Sequence, residues 1–283
     1  MISVVTTRQK TLKLEYSDIP TFIDSNSVLI KVKASGINFA DIMAKKGFYP
    51  DAPPLPTVVG YEVSGIVEKV GPAVSQTWIG KSVVAITVFK GYATHVITSV
   101  DYITEIPLGL SFIDAASLPV VYLTAWVLIY IMGGGRSGQT LLIQNAGGGV
   151  GLAALDIAKH LGMVTIGTAS KHKHKELLLR GLDHAIDYRN ENVSQRVLEI
   201  TGGKGCHLII DPIGGKEWSN NFKLLRKTGK LGVFGASTLS DAADMNIFSR
   251  IFALLSFVLS IPKWSPLTLM DQNKAVFGVN LVL

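Results

Sequence analysis

The run NAGGGVG at 145–151 holds no acid, base or nucleophile, yet it is the stretch of this chain most clearly marked for chemistry. It follows Leu141 to Ile143, a continuous apolar segment of the kind found in a strand buried on both faces. It precedes Leu152 to Leu161, where apolar residues recur at helical spacing. Ala146, Gly148 and Gly151 therefore occupy the three small-residue positions of a dinucleotide fingerprint, with alanine in the first. One small residue lets the chain turn, the next lets the main chain approach a pyrophosphate, and the last lets the helix pack on the sheet. The helix start adds unpaired N–H groups and partial positive charge. The chemistry expected is the holding of phosphates.

The stretch after the next strand bears on which dinucleotide. A site for an unphosphorylated ribose places an Asp or Glu about 20 residues beyond the glycines. Gly167 through Lys175 contains neither, and Ser170, Lys171, Lys173 and Lys175 stand there instead. A carboxylate repels a 2′-phosphate, whereas ammonium and hydroxyl groups bind it, so the residues favour NADPH. His172 and His174 lie two apart, diverge on a helix, and do not form a metal site. Cys206 is the single cysteine, which excludes an internal disulfide and a four-cysteine zinc lobe; in GCHLIIDP it reads as an inert core thiol.

These residues need a scaffold, and 283 residues with 48% hydrophobic and 17% charged composition suffice for two domains with real cores. TLLIQN, MVTIGT, HAIDY, CHLIIDP, KLGVFG and AVFGVNL form six candidate strands separated by helical stretches, the pattern of a doubly wound parallel sheet. Before residue 118, runs such as VLIKVKASG, GIVEKVG and SVVAITV alternate with Pro- and Gly-rich turns and read as a mostly β substrate domain. LPVVYLTAWVLIYIMGGG would be the connecting helix, stopped by Gly133 to Gly135. The expected division is 1–117 and 118–283.

The net charge of +6 is matched by residues 159–230 alone, which hold 13 Lys or Arg against 7 Asp or Glu. With no basic tail and no aromatic-interleaved basic repeat, nucleic acid is not the expected partner. The N-terminus carries Arg8, Lys10 and Lys13 and does not read as a secretory signal. Ile251 to Pro262 is uncharged but spans only 12 residues, against about 20 for a bilayer. A buried or interface helix is expected at 247–261, with a lid over a substrate channel or contact with a membrane surface as the other readings. The expected location is cytoplasmic.

Taken in order, ASGINFADIMAKKGFYP, VVGYEVSGIVEKVG, DAASLPVVYLTAW and NAGGGVGLAALDIAKHLG resemble the medium-chain dehydrogenase/reductase superfamily over essentially the whole chain, and within it the quinone oxidoreductase branch. GTASKHK, DPIGG and NKAVFGVNL look closest to its vesicle amine transport protein homologues. The resemblance implies an N-terminal GroES-like domain ahead of a Rossmann domain. The zinc alcohol dehydrogenases of the superfamily carry a Cys and a His as metal ligands in segments similar to these; Asn38 and Tyr61 stand there in this chain. Neither replaces a thiolate or an imidazole, so a metal-free enzyme is expected. Without zinc as Lewis acid, hydride transfer suits an acceptor that is itself electron-poor, a quinone or an α,β-unsaturated carbonyl compound.

By the same resemblance Asn38 borders nicotinamide and substrate, Thr124 contacts the cofactor, and Lys173 and Tyr188 meet the 2′-phosphate. Gly147, Gly148, Gly149, Val150 and Gly151 cover the pyrophosphate with Ala146, and Phe234 and Gly235 complete the cofactor set. Tyr49 is the candidate hydrogen-bond donor to substrate. Plainer roles stay open: Asn38 and Asp41 as caps of the helix in NFADIMAKKG, Tyr49 as packing, Tyr188 as a strand-end aromatic, Thr124 as a helix-interior residue. Glu62 is expected to hold structure through an ion pair. Met43 stands where some relatives have a second tyrosine, and the chain ends at GVNLVL, where relatives continue into a segment that returns to the substrate domain. Two functions follow, a zinc-independent NADPH-dependent oxidoreductase, or a non-catalytic NADPH-binding scaffold or membrane-surface adaptor. The open edge of AVFGVNL suggests a homodimer.

Overall fold

Val- and Ile-rich runs punctuated by Gly and Pro build antiparallel sheets in the first part of the chain. The protein is described here from a computed structural model that covers every residue except 22, 50, 243, 244, 282 and 283, with the side chains of 241, 242 and 247 also left out. Two compact units divide it, Met1–Val120 and Val121–Leu281. The first contains β1 (Ile2–Thr6), β2 (Leu12–Tyr16), β3 (Ser27–Ser35), α1 (Phe39–Lys46), β4 (Thr57–Val58), β5 (Glu62–Val70), β6 (Ser82–Ile86), β7 (His95–Ser99), β8 (Ile103–Glu105) and α2 (Phe112–Ala116). A five-stranded antiparallel sheet runs β7-β3-β5-β6-β8, and a three-stranded sheet runs β2-β1-β4. Val28 and Ile30 of β3, Val63 and Val67 of β5 and Val83 and Ala85 of β6 face one core, as the two-residue period of a strand requires.

Helix α3 (Pro119–Trp126) and a π-helical turn at Val127–Ile131 carry the chain onward. The second unit contains β9 (Thr140–Ile143), α4 (Gly149–His160), β10 (Val164–Ala169), α5 (His174–Leu179), β11 (His184–Asp187), α6 (Val193–Ile200), β12 (Cys206–Asp211), α7 (Lys216–Lys223), β13 (Leu225–Val233), α8 (Thr238–Ala242), α9 (Ile247–Ser260), α10 (Pro266–Gln272) and β14 (Ala275–Gly278). The six strands pair in parallel in the order β11-β10-β9-β12-β13-β14. This is the doubly wound sheet expected from the sequence, with the strand order reversing between β9 and β12. Leu141 and Ile143 enter one buried cluster and Leu142 enters the other, so the unbroken apolar run serves both faces of the sheet. Cys206 lies wholly inside, and burial pushes its thiol up to about 12, consistent with an inert core residue.

Of the readings expected for helix α9, only the buried one disagrees with the described residues. Its side chains are not buried in this unit: Phe248 is 83% exposed and Leu259 85%, with Phe252, Leu255 and Val258 exposed alongside. One flank is held, through Phe257 packing on the Trp218 ring at 5.8 Å. No helix of the described residues is long and apolar enough to cross a membrane.

Candidate functional site

The glycine run is held from behind by a chain of buried amides. Asn145 takes a left-handed backbone, φ 57°, between β9 and the loop, and its N–H donates to Thr168 Oγ1 at 3.0 Å. Thr168 Oγ1 donates to Gln144 Oε1 at 2.8 Å, Gln144 Nε2 to Asn221 Oδ1 at 2.8 Å, and Asn221 Nδ2 to Asp211 Oδ2 at 2.7 Å. Asp211 also accepts from the N–H groups of Ile213 and Gly214, while burial pulls the other way and raises its pKa. The network therefore ties the carboxyl end of β9 to those of β10 and β12, the place where an open α/β sheet binds its ligand. Sequence reasoning missed Gln144, Thr168, Asp211 and Asn221. The available signal was polar residues closing otherwise apolar strands, as in TLLIQ and LIID.

In front of this network, Gly148 caps α4 without a side-chain bond and no acid stands in the first turn, leaving the first-turn N–H groups free of a competing carboxylate. Gly151 is required by close approach: a Cβ there would lie 2.4 Å from the Asn145 carbonyl oxygen and 2.6 Å from that of Ala146. Lys173 reaches back to the loop, its Nζ donating to the Gly147 carbonyl at 3.0 Å. Ser170 Oγ donates to the Tyr188 hydroxyl at 3.3 Å, and the Arg189 guanidinium lies 5.7 Å from the Tyr188 ring centre. The Ser170 hydroxyl and Arg189 together hold the Tyr188 phenol below its ordinary pKa. The structure thus brings Ala146 to Gly151 together with Lys173, and Ser170 together with Tyr188, at the ends of β10 and β11. Arg189 joins them unforeseen.

Asp187, the residue before Tyr188, turns into its own loop, accepting from Asn190 Nδ2 at 2.7 Å and from the Arg189 N–H at 3.2 Å. Phe234 and Gly235 sit at the end of β13 beside that of β12: the Phe234 N–H donates to the Asp211 carbonyl at 3.1 Å, and a Cβ on Gly235 would lie 2.9 Å from the Pro212 carbonyl oxygen. Thr124 is buried in α3, one turn beyond Val121, whose methyl would meet a Cβ on Gly149 at 2.9 Å. These groups fit a nicotinamide dinucleotide, with donors at the loop, a cation and hydroxyls beyond it, and no acid among Gly167 to Lys175.

In the N-terminal unit the chemistry is carried by side chains that hold one another. Asn38 Nδ2 donates to Glu62 Oε1 at 2.6 Å, and the Val120 N–H donates to Glu62 Oε2 at 2.8 Å. Glu62 is thus fixed by hydrogen bonds and not by the ion pair expected, among the described residues; a desolvated carboxylate there is satisfied by donors without a cation. Burial raises its pKa against those two bonds. Gly36 allows this approach, since a Cβ there would stand 2.1 Å from Glu62 Oε1. Asn38 and Asp41 form a capping box at the start of α1, Asp41 Oδ2 accepting from the Asn38 N–H at 2.7 Å, while the Asn38 amide nitrogen also reaches Glu62. Asp41 Oδ1 also accepts from the Gly60 N–H at 3.0 Å. Tyr49, half-buried, packs its ring 5.9 Å from that of Tyr61, which in turn lies 5.0 Å from Phe89. Burial raises the pKa of both phenols, so both remain neutral donors. Met43 is buried in α1. Among the described residues no group of three or more His, Cys, Asp or Glu could hold a metal ion.

Two family models match this chain, the alcohol dehydrogenase GroES-like domain over residues 24–107 and the zinc-binding dehydrogenase over residues 149–261. The synaptic vesicle membrane protein VAT-1 of Tetronarce californica is 33% identical over 271 residues, covering 93% of this chain and 67% of that protein. The VAT-1 homolog of Danio rerio is 35% identical over 271 residues, covering 95% of this chain and 55% of its own length. The chain thus spans between about half and two thirds of these relatives. The Escherichia coli quinone oxidoreductase complexed with NADPH superposes with a TM-score of 0.83 at 27% identity, over 99% of this chain and 81% of that one.

Proposed function

The chain belongs to the medium-chain dehydrogenase/reductase superfamily, and from that premise we propose that it is a zinc-independent oxidoreductase that uses NADPH to reduce quinones or α,β-unsaturated carbonyl compounds. The observation that carries this reading is the commitment of the Asn38 amide to Glu62, at the position of a metal-ligand cysteine in zinc-dependent relatives. The donor set there suits orientation of organic groups and not Zn²⁺. The NADPH-bound quinone oxidoreductase to which the chain is similar supports the same reading.

NADPH, when bound, supplies a hydride from its nicotinamide ring. This chain's residues do the holding. Main-chain N–H groups of Gly148 to Gly151 take the pyrophosphate, with Ala146 and Gly147 shaping the turn. Lys173, Ser170 and Tyr188 take the 2′-phosphate, and Thr124, Phe234 and Gly235 border the rest of the cofactor. Asn38, held by Glu62, orients nicotinamide and acceptor, and Tyr49 donates to the acceptor oxygen as charge builds there. On this reading residues 1–117 form the substrate domain and 118–283 the NADP(H) domain, the protein works in the cytoplasm, and it forms a homodimer through the open edge of β14, which among the described residues pairs with β13.

A second reading, a non-catalytic NADPH-binding scaffold or membrane-surface adaptor, is favoured by the exposed apolar side of α9. A cleft of about 750 Å³ beside it is lined by Gly214, Gly215, Phe248, Phe252 and Phe257. Steady-state oxidation of NADPH with a panel of quinones and enones separates the two. Turnover is expected; tight NADPH binding with no turnover on any acceptor would establish the scaffold.

A further inference from the structure

Tyr61 is only 3% exposed, and its hydroxyl is buried without a hydrogen-bond partner among the described residues. Nothing in the packing asks for that oxygen, because the contacts with Tyr49 and Phe89 are ring contacts that phenylalanine would make equally well. Several polar groups of the same region are engaged elsewhere, although the Tyr92 hydroxyl is likewise buried without a partner among the described residues. Thr87 Oγ1 donates to the Gly60 carbonyl at 2.9 Å, Asp41 takes the Asn38 and Gly60 N–H groups, and Glu62 takes the Asn38 amide and the Val120 N–H. A buried hydroxyl left unpaired costs the folded state free energy and calls for an explanation, of which a role in catalysis is one.

We propose that the Tyr61 hydroxyl is a hydrogen-bond donor to the carbonyl oxygen of the acceptor, a catalytic residue acting beside Tyr49. This rests on the oxidoreductase reading above. Hydride arriving at an electron-poor carbon moves negative charge onto the conjugated oxygen, and a preorganised neutral donor in a dry site stabilises that charge without first having to shed water. Burial holds Tyr61 in its neutral, donating form. Its position strengthens the case. By family resemblance this is where a metal-ligand histidine stands, so the phenol supplies electrophilic assistance at the place where zinc-dependent relatives hold the metal.

Tyr61→Phe tests this, because it removes the oxygen and keeps the ring. The expected result is a thermal midpoint equal to or above wild type, an unchanged Kd for NADPH, and a kcat/KM for quinones and enones lowered roughly 10- to 100-fold. Unaltered kcat/KM overturns the proposal. A rate loss accompanied by a lower midpoint also overturns it, since the hydroxyl would then be a structural donor. If the wild-type protein turns over no acceptor, the oxidoreductase reading fails by itself. Equilibrium binding of 1,4-naphthoquinone to the NADP⁺-loaded protein then decides about the hydroxyl: binding weakened about tenfold or more in the variant supports a donor to the carbonyl, and equal affinity overturns it.

Discussion

In the parallel-sheet unit the groups that would meet a ligand are largely main chain. The Gly148 to Gly151 loop is backed by Thr168, Gln144, Asn221 and Asp211, which hydrogen-bond one another behind it. In the N-terminal unit the order is reversed: Asn38, Glu62 and Asp41 are side chains that fix one another, and the main chain serves only as donor to the two carboxylates. A main-chain cradle tolerates little change in size and much change in polarity beyond it. A side-chain constellation tolerates changes in size poorly or well according to position, and changes in polarity badly everywhere. The two units should therefore fail in different ways when mutated.

Gly151→Val should produce the largest effect. Its Cβ would meet two main-chain oxygens, at 2.4 and 2.6 Å, which cannot yield as a side-chain tip could. A loss of about 3 kcal/mol or more in stability is expected by chemical denaturation, together with loss of NADPH binding. A stable Gly151→Val protein with intact binding would break the claim that the main chain makes the cradle.

Lys173→Ala tests a cation seated on the loop. A charge-assisted hydrogen bond to phosphate contributes about 1.5–3 kcal/mol, so the Kd for NADPH should rise roughly 10- to 100-fold while that for NADH changes little. Equal losses for both cofactors would mean that the bond to the Gly147 carbonyl, and not a phosphate, is what Lys173 is for.

Glu62→Gln probes the side-chain constellation through its polarity alone. Loss of the charge-assisted bond to Asn38 should lower kcat/KM about tenfold, equivalent to ~1.4 kcal/mol. It should also alter the pH profile of stability. Burial raises the Glu62 pKa in the folded state, so its contribution is complete below the ordinary carboxylate range and is lost as pH rises through the raised value. Denaturation midpoints measured from acid to neutral pH should fall less in the variant than in wild type. An identical slope would show that Glu62 titrates normally.

Arg180→Ala should do least. Arg180 makes two bonds to Asp156, at 3.0 and 2.6 Å, but the pair is partly exposed, and Tyr122 still donates to Asp156 at 2.6 Å. Less than about 1 kcal/mol is expected in the denaturation midpoint, with no change in cofactor affinity.

The sequence was most informative where one segment carries its own signal. TLLIQNAGGGVGLAALDIAKHLG shows strand, turn and helix at once, because buried strands are uniformly apolar and only small residues fit the junction. The six strands of the doubly wound sheet were legible for the same reason. Helix α9 was legible as an apolar helix, but its exposure was not, since hydropathy says what a segment would bury and not whether a partner is at hand. Cys206 was read correctly from its neighbours alone.

The features readable along the chain are therefore local: the small residues at 146, 148 and 151, the lack of a carboxylate between Gly167 and Lys175, and the neutral Asn38 and Tyr61 at positions where family resemblance would place metal ligands. Which polar groups find one another emerges on folding. Gln144 meets Asn221 across 77 positions, Asn38 meets Glu62 across 24, Glu62 meets Val120 across 58, and the Tyr61 hydroxyl meets no partner among the described residues. Hydrogen bonds reach about 3 Å and are blind to sequence separation, so a chain written in one dimension announces its turns and its apolar faces but not its buried pairs.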